Sequence, residues 1–349
     1  MAGIVAQPTL SQAQSIPHDH VKVLKGPVFS LAMHGTTLFA GHHNGIIDVF
    51  SSEFEKQSQV VELAAHTGIV RKLVVHRDLL FSCSVDGTAK CWTLPDCQWK
   101  MTYTGHHVPV ESIAVDSRRD VLYSGCLDGF LRMWNIETGE CRLVLRCHVG
   151  SLACLCVPVA PPAEEGAALG EAPRENCVLT ASSDTLCKLV EPLTKQVHVL
   201  IKGEQPILSL EYMHPFVILG CADGVIRGFR IHTANGACIF RGHTDGVNAL
   251  LAMNNRLFSV SDDKCVYLWS MMHWGVDAQF RGHSRCVVAM VSDPAMKLYT
   301  AGFDGELRSW DCGAIIAKMT EVEAVARAQA KKKAQPADDG QKKPGPKRR

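Results

Sequence analysis

The sequence has no glycine-rich phosphate loop closing on Gly-Lys-Ser/Thr, no His-Glu-x-x-His helix and no Gly-x-Ser-x-Gly elbow. These gaps remove the signatures of P-loop phosphate chemistry, of zinc-dependent hydrolysis and of the elbow serine nucleophile. Among fifteen cysteines there is no Cys-x-x-Cys pair, so the usual structural zinc spacing is missing. No apolar run reaches the roughly 18 residues that a membrane helix needs. The opening MAGIVAQPTLSQAQS lacks the charged and apolar regions of a secretory signal. Cysteines that are odd in number and scattered then read as reduced thiols in an intracellular protein of the cytoplasm or nucleus. Nothing here implies an enzyme, a cofactor or a metal.

The charge is near balance overall but unevenly spread. From Lys318 onward ten basic residues face four acidic ones, which leaves the rest of the chain net acidic. An acidic body disfavours a broad nucleic-acid surface, whereas a basic tail allows a local one.

Seven segments share one pattern: a β-rich run, small residues, a turn with Asp or Asn, and a run closing on a large residue. They include LFAGHHNGIIDVF (38–50), LFSCSVDGTAKCW (80–92), LYSGCLDGFLRMW (122–134) and LYTAGFDGELRSW (298–310). The closing residues are Phe50, Trp92, Trp134, Val190, Phe229, Trp269 and Trp310, spaced 42, 42, 56, 39, 40 and 41 apart. A period near 40–45 residues is the length of a four-stranded propeller blade. The long interval holds VPVAPPAEEGAALGEAPREN (157–176), a Pro-, Ala-, Glu- and Gly-rich insertion between the first two strands of unit four. Short Gly-His-like motifs precede five units, as in AHTGIV (65–70), GHHVPV (105–110), CHVGSL (147–152), GHTDGV (242–247) and GHSRCV (282–287).

In these motifs the chain resembles the WD40 family, over roughly residues 20–311. The resemblance implies an all-β, seven-bladed propeller spanning 20–313. It also implies a hydrogen-bond relay in each complete unit, from Trp through a hydroxyl and His to the turn Asp. Carried onto this chain the sets are His66, Ser82, Asp86 and Trp92; His106, Ser124, Asp128 and Trp134; His243, Ser259, Asp263 and Trp269; His283, Thr300, Asp304 and Trp310. Unit four offers His148, Thr180 and Asp184 but ends in Val190. Units one and five lack His, hydroxyl (Ala40, Leu219) and Trp together, though unit five keeps Asp223. Near-identical sets recurring around a ring are expected to be structural; a triad needs one set in a pocket with an oxyanion site. The adjacent histidines His42-His43 and His106-His107 are read as structural turn residues, and Cys154 and Cys156 as core.

The resemblance places partners on the face carrying the Asp turns. Arg71, Glu111 and Asn248, five residues beyond the Gly-His histidine, would point there. So would Val85, Leu127, Asp262 and Phe303, each just before a turn Asp. Their mixture of apolar and charged groups suits a protein or peptide.

At the chain ends, residues 1–19 read as disordered, and His20–Leu24 as the outer strand completing blade seven. Closing the ring in this way removes sheet edges. Residues 314–333 read as a helix with a stripe of Ile315, Met319, Val322 and Ala326, either packed on the propeller or docking a partner. Residues 334–349 read as a disordered basic tail. Lys331, Lys332, Lys333, Lys342, Lys343, Lys347, Arg348 and Arg349 fit an import signal, an RNA contact or a solvated tail. The functional expectation is a non-catalytic scaffold assembling a complex. The alternatives are a ubiquitin-ligase substrate receptor or a nuclear RNA-associated subunit. No Trp-Asp-x-Arg ending and no preceding F-box-like segment support the receptor.

Overall fold

A computed structural model describes residues 14–16, 19–52, 61–158, 176–231, 236–253, 256–271, 274–317 and 319–321. Seven antiparallel four-stranded sheets stand in a ring; six are built from four consecutive strands in sequence order, the seventh takes its outer strand from His20–Val23, and the sixth carries a further strand. The inner strands are Val28–His34, Val70–His76, Val110–Asp116, Leu152–Cys156, Ile207–Met213, Val247–Met253 and Val287–Ser292. Inner strands of successive blades touch all the way round, and the last meets the first.

The second strand of each blade, such as Leu79–Ser84 or Val121–Cys126, is almost wholly buried. Both of its faces are covered by neighbouring blades, so its sequence is a continuous run of apolar and small residues rather than an alternating one. The core accordingly divides into seven apolar clusters, one per blade interface. Small residues permit the approach. A Cβ on Gly125 would lie 2.5 Å from Leu152 of the next blade.

Blade seven is shared between distant parts of the chain. The strand His20–Val23 pairs antiparallel with Glu306–Asp311, His20 opposite Ser309 and Val23 opposite Glu306. Leu24 is then buried between blades seven and one.

The reading of residues 1–19 as disordered needs one correction. Gln14–Ile16 forms a strand running parallel to the outer strand of blade six, Val276–Arg281, with Ile16 opposite Phe280. The physical reason is one buried side chain: Ile16 is 8% exposed in the cluster of Phe280 and Trp310. Burying it contributes about 1.5–3 kcal/mol, while ordering three residues costs about 1–2 kcal/mol each. Ladder hydrogen bonds, roughly 0.5–1.5 kcal/mol apiece, bring this strap close to balance.

A helix runs over 313–321. Ile316 is buried and Ile315 and Met319 are partly so, all against the same blade six–seven cluster. In the described residues the helix is thus packed on the propeller. The rest of the expected helix, the basic tail with its lysines and arginines, residues 1–13 and most of the 157–176 insertion lie outside the described residues. No helix among the described residues is long and apolar enough to cross a membrane.

Candidate functional site

Every pairing between an inner strand and its neighbour carries a register shift after its first residue: at Val28/Ser30, Val70/Lys72, Val110/Ser112, Leu152/Cys154, Ile207/Ser209, Val247/Ala249 and Val287/Ala289. A bulge leaves one residue unpaired and re-aims its side chain. Here the first residue plugs an interblade cluster and the skipped residue turns into the central channel. The skipped residues Phe29, Arg71, Glu111, Ala153, Leu208, Asn248 and Val288 ring a cavity of about 550 Å³. Lys72, Cys154, Cys156, Glu211 and Met290 lie on the same wall.

Three of these seven, Arg71, Glu111 and Asn248, were expected from their spacing after a histidine. The same spacing after His148 and His283 leads to Ala153 and Val288, which were not among the expected residues. Phe29 and Leu208 belong to the units without that histidine.

The mouth of the channel is held by paired groups. The Arg71 guanidinium grips Glu111, its Nε donating at 2.7 Å and its Nη2 closer still. Asn248 donates to Asp262 at 2.7 Å and to the carbonyl of Val287 at 3.0 Å. Phe303 meets Phe29 edge-on at 5.0 Å between ring centres. Of the turn residues, Asp262 and Phe303 line the channel, whereas Val85 and Leu127 do not; Leu127 is 48% exposed. The backbone N–H of each, Val85, Leu127, Asp262 and Phe303, donates at 3.0–3.1 Å to the loop entering its own blade.

Deeper in the channel, burial pushes the Glu211 carboxyl up to about 7, against the opposing effects of the Tyr212 N–H and Lys72. In the unfolded chain this carboxyl titrates near its ordinary value. The fold therefore favours its neutral form, and stability falls as pH rises from about 4.5 through 7. Glu211→Gln is expected to stabilise the protein by on the order of 1 kcal/mol at pH 8 and by little at pH 4.5. Paired urea titrations at the two pH values measure this. A gain equal at both would contradict the assignment.

Cys154 and Cys156, expected in the core, lie along the channel wall and pack on the blade four–five cluster. The Cys154 thiol donates to the Leu208 carbonyl at 2.9 Å, and burial raises both thiols above their ordinary range. All fifteen cysteines are free thiols.

The relay sets take the following geometry. In blade six, Asp263 accepts from His243 Nδ1 at 2.7 Å, Nε2 meets the Ser259 hydroxyl at 2.7 Å, and Trp269 Nε1 donates to that hydroxyl at 2.7 Å. Blade seven matches: His283–Asp304 at 2.8 Å, His283–Thr300 at 2.9 Å and Trp310–Thr300 at 2.8 Å. In blade two His66 lies 2.8 Å from both Asp86 and Ser82, while Trp92 is looser at 3.4 Å. Blade four joins His148 to Asp184 and Thr180 without an indole, since Val190 stands there. Burial opposes ionisation of Asp86, yet the bonds from His66 and Thr88 outweigh it and hold the carboxyl below its ordinary value. The histidine side also offers close acidic company: His283, Asp304 and Glu306 have donor atoms within 4.8 Å of one another. Their own pairings account for this, His283 with Asp304 and Arg308 with Glu306.

Blade three departs from the expected set. His106 meets Ser124 at 2.7 Å and Trp134 donates to Ser124 at 2.8 Å, but Asp128 does not join His106. The Cys126 thiol donates to Asp128 at 2.7 Å instead. Blades two, four and six carry serine at that place: Ser84, Ser182 and Ser261. Each serine hydroxyl accepts from the N–H of its turn Asp and leaves the carboxylate to the histidine. Blade one supplies a pair that the sequence reading missed. His42 closes a strand rather than sitting in a turn, and its Nε2 meets Asp48 at 2.9 Å, both side chains being buried.

The fold and the paired groups at the mouth define the class: a β-propeller whose side-chain networks fasten loops around a central opening. Comparison with known proteins gives the family. The model described as "WD domain, G-beta repeat" matches residues 57–93, 97–135 and 236–270. The chain thus contains WD40 repeats. It is 27% identical over 245 residues to an uncharacterised WD repeat-containing protein of Schizosaccharomyces pombe, covering 66% of this chain and 64% of that one. It is 38% identical over 178 residues to eukaryotic translation initiation factor 3 subunit I of Meyerozyma guilliermondii, covering 49% and 43%. It is 32% identical over 110 residues to cell division control protein 4 of Candida albicans, covering 31% and 16%. The chain thus spans under two thirds of the length of each of these relatives. The crystal structure of the computationally designed Ika8 protein aligns over 85% of this chain and 99% of its own, with a TM-score of 0.64 at 20% identity. That likeness concerns the fold alone.

Proposed function

We propose that the protein is a non-catalytic interaction scaffold, and that it holds a partner protein or peptide over the channel mouth on the face of the Asp turns. The ring of bulged residues carries this reading. It brings an aromatic pair, an Arg–Glu pair and an Asn–Asp pair around one opening, with the exposed Leu127 on the same turns. Aromatic and arginine groups beside partly shielded polar ones are the composition of interface centres. The histidine networks act as fasteners of the loops, since they sit inside blades two, three, four, six and seven and so recur around the ring. A relative named as a subunit of a translation initiation factor supports a place within a larger assembly.

The test is a photo-crosslinking amino acid placed in turn at Leu127, at Phe303 and, as a control, at Val144 on an exposed outer strand. Crosslinks to a partner are expected from the first two sites. Arg71→Ala is expected to weaken that partner by about fivefold or more. Partner crosslinks arising only from Val144 would place binding on the rim and sink this reading.

A further inference from the structure

Blade six stands apart because its outer edge is already taken. Gln14, Ser15 and Ile16 lie parallel to it, opposite Ala278, Gln279 and Phe280. Among the described residues no other blade has a fifth strand. The edge is also walled on one side: Ile16 shares its apolar cluster with Ile316 of the C-terminal helix, with Phe280 and with Trp310. An open strand edge, a wall and one aliphatic pocket together make a groove that takes extended chain through backbone bonds and one side chain. Three residues separate Ile16 from the strand His20–Val23 in blade seven. Asp19 is tied there by its N–H to Ser309 at 2.9 Å. The strap is therefore held next to its groove whether or not it is seated, while blade seven stays closed.

We propose that this groove is a second interaction surface and that Gln14–Ile16 is its built-in occupant. A partner protein's extended segment, running parallel to Val276–Arg281 with an aliphatic residue in the place of Ile16, takes the groove when the strap leaves. The inference goes beyond the channel-face scaffold and is independent of it, because the groove lies on the rim. The occupant's chemistry follows from what is seated: parallel direction, backbone pairing over three residues, and one branched aliphatic side chain against Phe280 and Ile316. The near balance of the strap makes it the exchangeable part. Because Ile16 and Ile316 share one cluster, emptying the groove also loosens the helix.

The experiment uses the full-length protein, its Ile16→Asp variant, and a second receptor that begins at Asp19 should the variant fold poorly. The probe is a fluorescein-labelled peptide of residues 8–19 of this chain, titrated onto each. A seated strap within about 1 kcal/mol of balance closes roughly half to four fifths of the grooves, so the peptide is expected to bind the variant about two- to fivefold more tightly than the wild type. The same peptide carrying I16D is expected to bind neither. Hydrogen exchange gives a readout that needs no ligand: Ile16→Asp should speed exchange across Val276–Arg281 and 313–317 but leave Cys141–Arg146 of blade three unchanged. Folded receptors lacking the strap that bind the peptide no better than wild type would overturn the proposal. So would unchanged exchange at Val276–Arg281.

Discussion

A chain beginning at Lys25 is expected to lose about 3–5 kcal/mol of stability and about 10 °C in melting temperature. The strand His20–Val23 is the fourth strand of blade seven, and its removal leaves Glu306–Asp311 as an uncovered edge. Leu24 goes with it, and so does a cover over the blade seven–one cluster that contains Phe50, Leu307 and Tyr299. Lys22, whose ammonium lies 4.3 Å from the centre of the Phe50 ring, is lost as well. The remaining edge, Glu306–Asp311, would present unpaired backbone groups along its length, a template for pairing with other chains. Size-exclusion chromatography should then show oligomers where the intact chain shows one species. The contrast is a chain beginning at Asp19, which gives up the blade-six strap but keeps the ring closed. It should melt within about 4 °C of the intact protein, since the strap is near balance. Equal melting of all three chains would mean that blade seven does not depend on the N-terminal strand.

That closing strand was legible because it alternates, and because nothing strand-like follows Trp310. The blade-six strap was not. Three residues carry no periodicity, and the stabilisation comes from an apolar pocket made by Phe280 and Ile316, which are some 265 and 300 positions away in the chain. The period of the closing residues revealed the ring itself, and the interruption at unit four explained the one irregular spacing. The channel site was half legible. A histidine marks where the inner strand starts, so Arg71, Glu111 and Asn248 could be counted out from it. Units one and five have no such mark, and Phe29 and Leu208 became visible only through the bulge at the head of every inner strand. Ala153 and Val288 occupy the same ring position, five residues beyond His148 and His283, and could have been counted out in the same way.

The relay sets show why residue type alone falls short. Blade three has all four expected side chains, yet a thiol two residues before the turn Asp captures the carboxylate. Blade one has none of the expected set, yet buries a His–Asp pair of its own, His42 with Asp48. In both cases a single neighbour decides where the carboxylate goes. That position is occupied by serine in blades two, four and six, by Cys126 in blade three and by His42 in blade one.

This difference separates His243→Ala from His106→Ala. His243 has a fully buried side chain, bridges Asp263 to Ser259 and stacks on Tyr267 at 4.3 Å between ring centres. Its loss leaves a largely buried carboxylate with only the N–H groups of Thr244 and Cys265, leaves Ser259 without its imidazole partner and opens space beneath Trp269, which is expected to cost about 3 kcal/mol. His106 is half-buried and has no carboxylate to strand. Ser124 keeps the indole of Trp134, so the alanine change should cost about 1 kcal/mol. Burial, with the Arg132 charge, also holds the His106 imidazole down to about 4 in the folded protein. In the unfolded chain the ring takes up a proton near pH 6.5, and the native ring resists it until about pH 4. Stability tied to His106 is therefore full above pH 6.5 and drains away as pH falls toward 4. His106→Gln, which cannot be protonated there, should flatten that part of the acid limb, whereas it should track the wild type above pH 7. Urea midpoints for the variants at pH 7.5, 6 and 5 resolve both effects. A His106→Ala protein as unstable as His243→Ala would show that blade three has an intact carboxylate network after all.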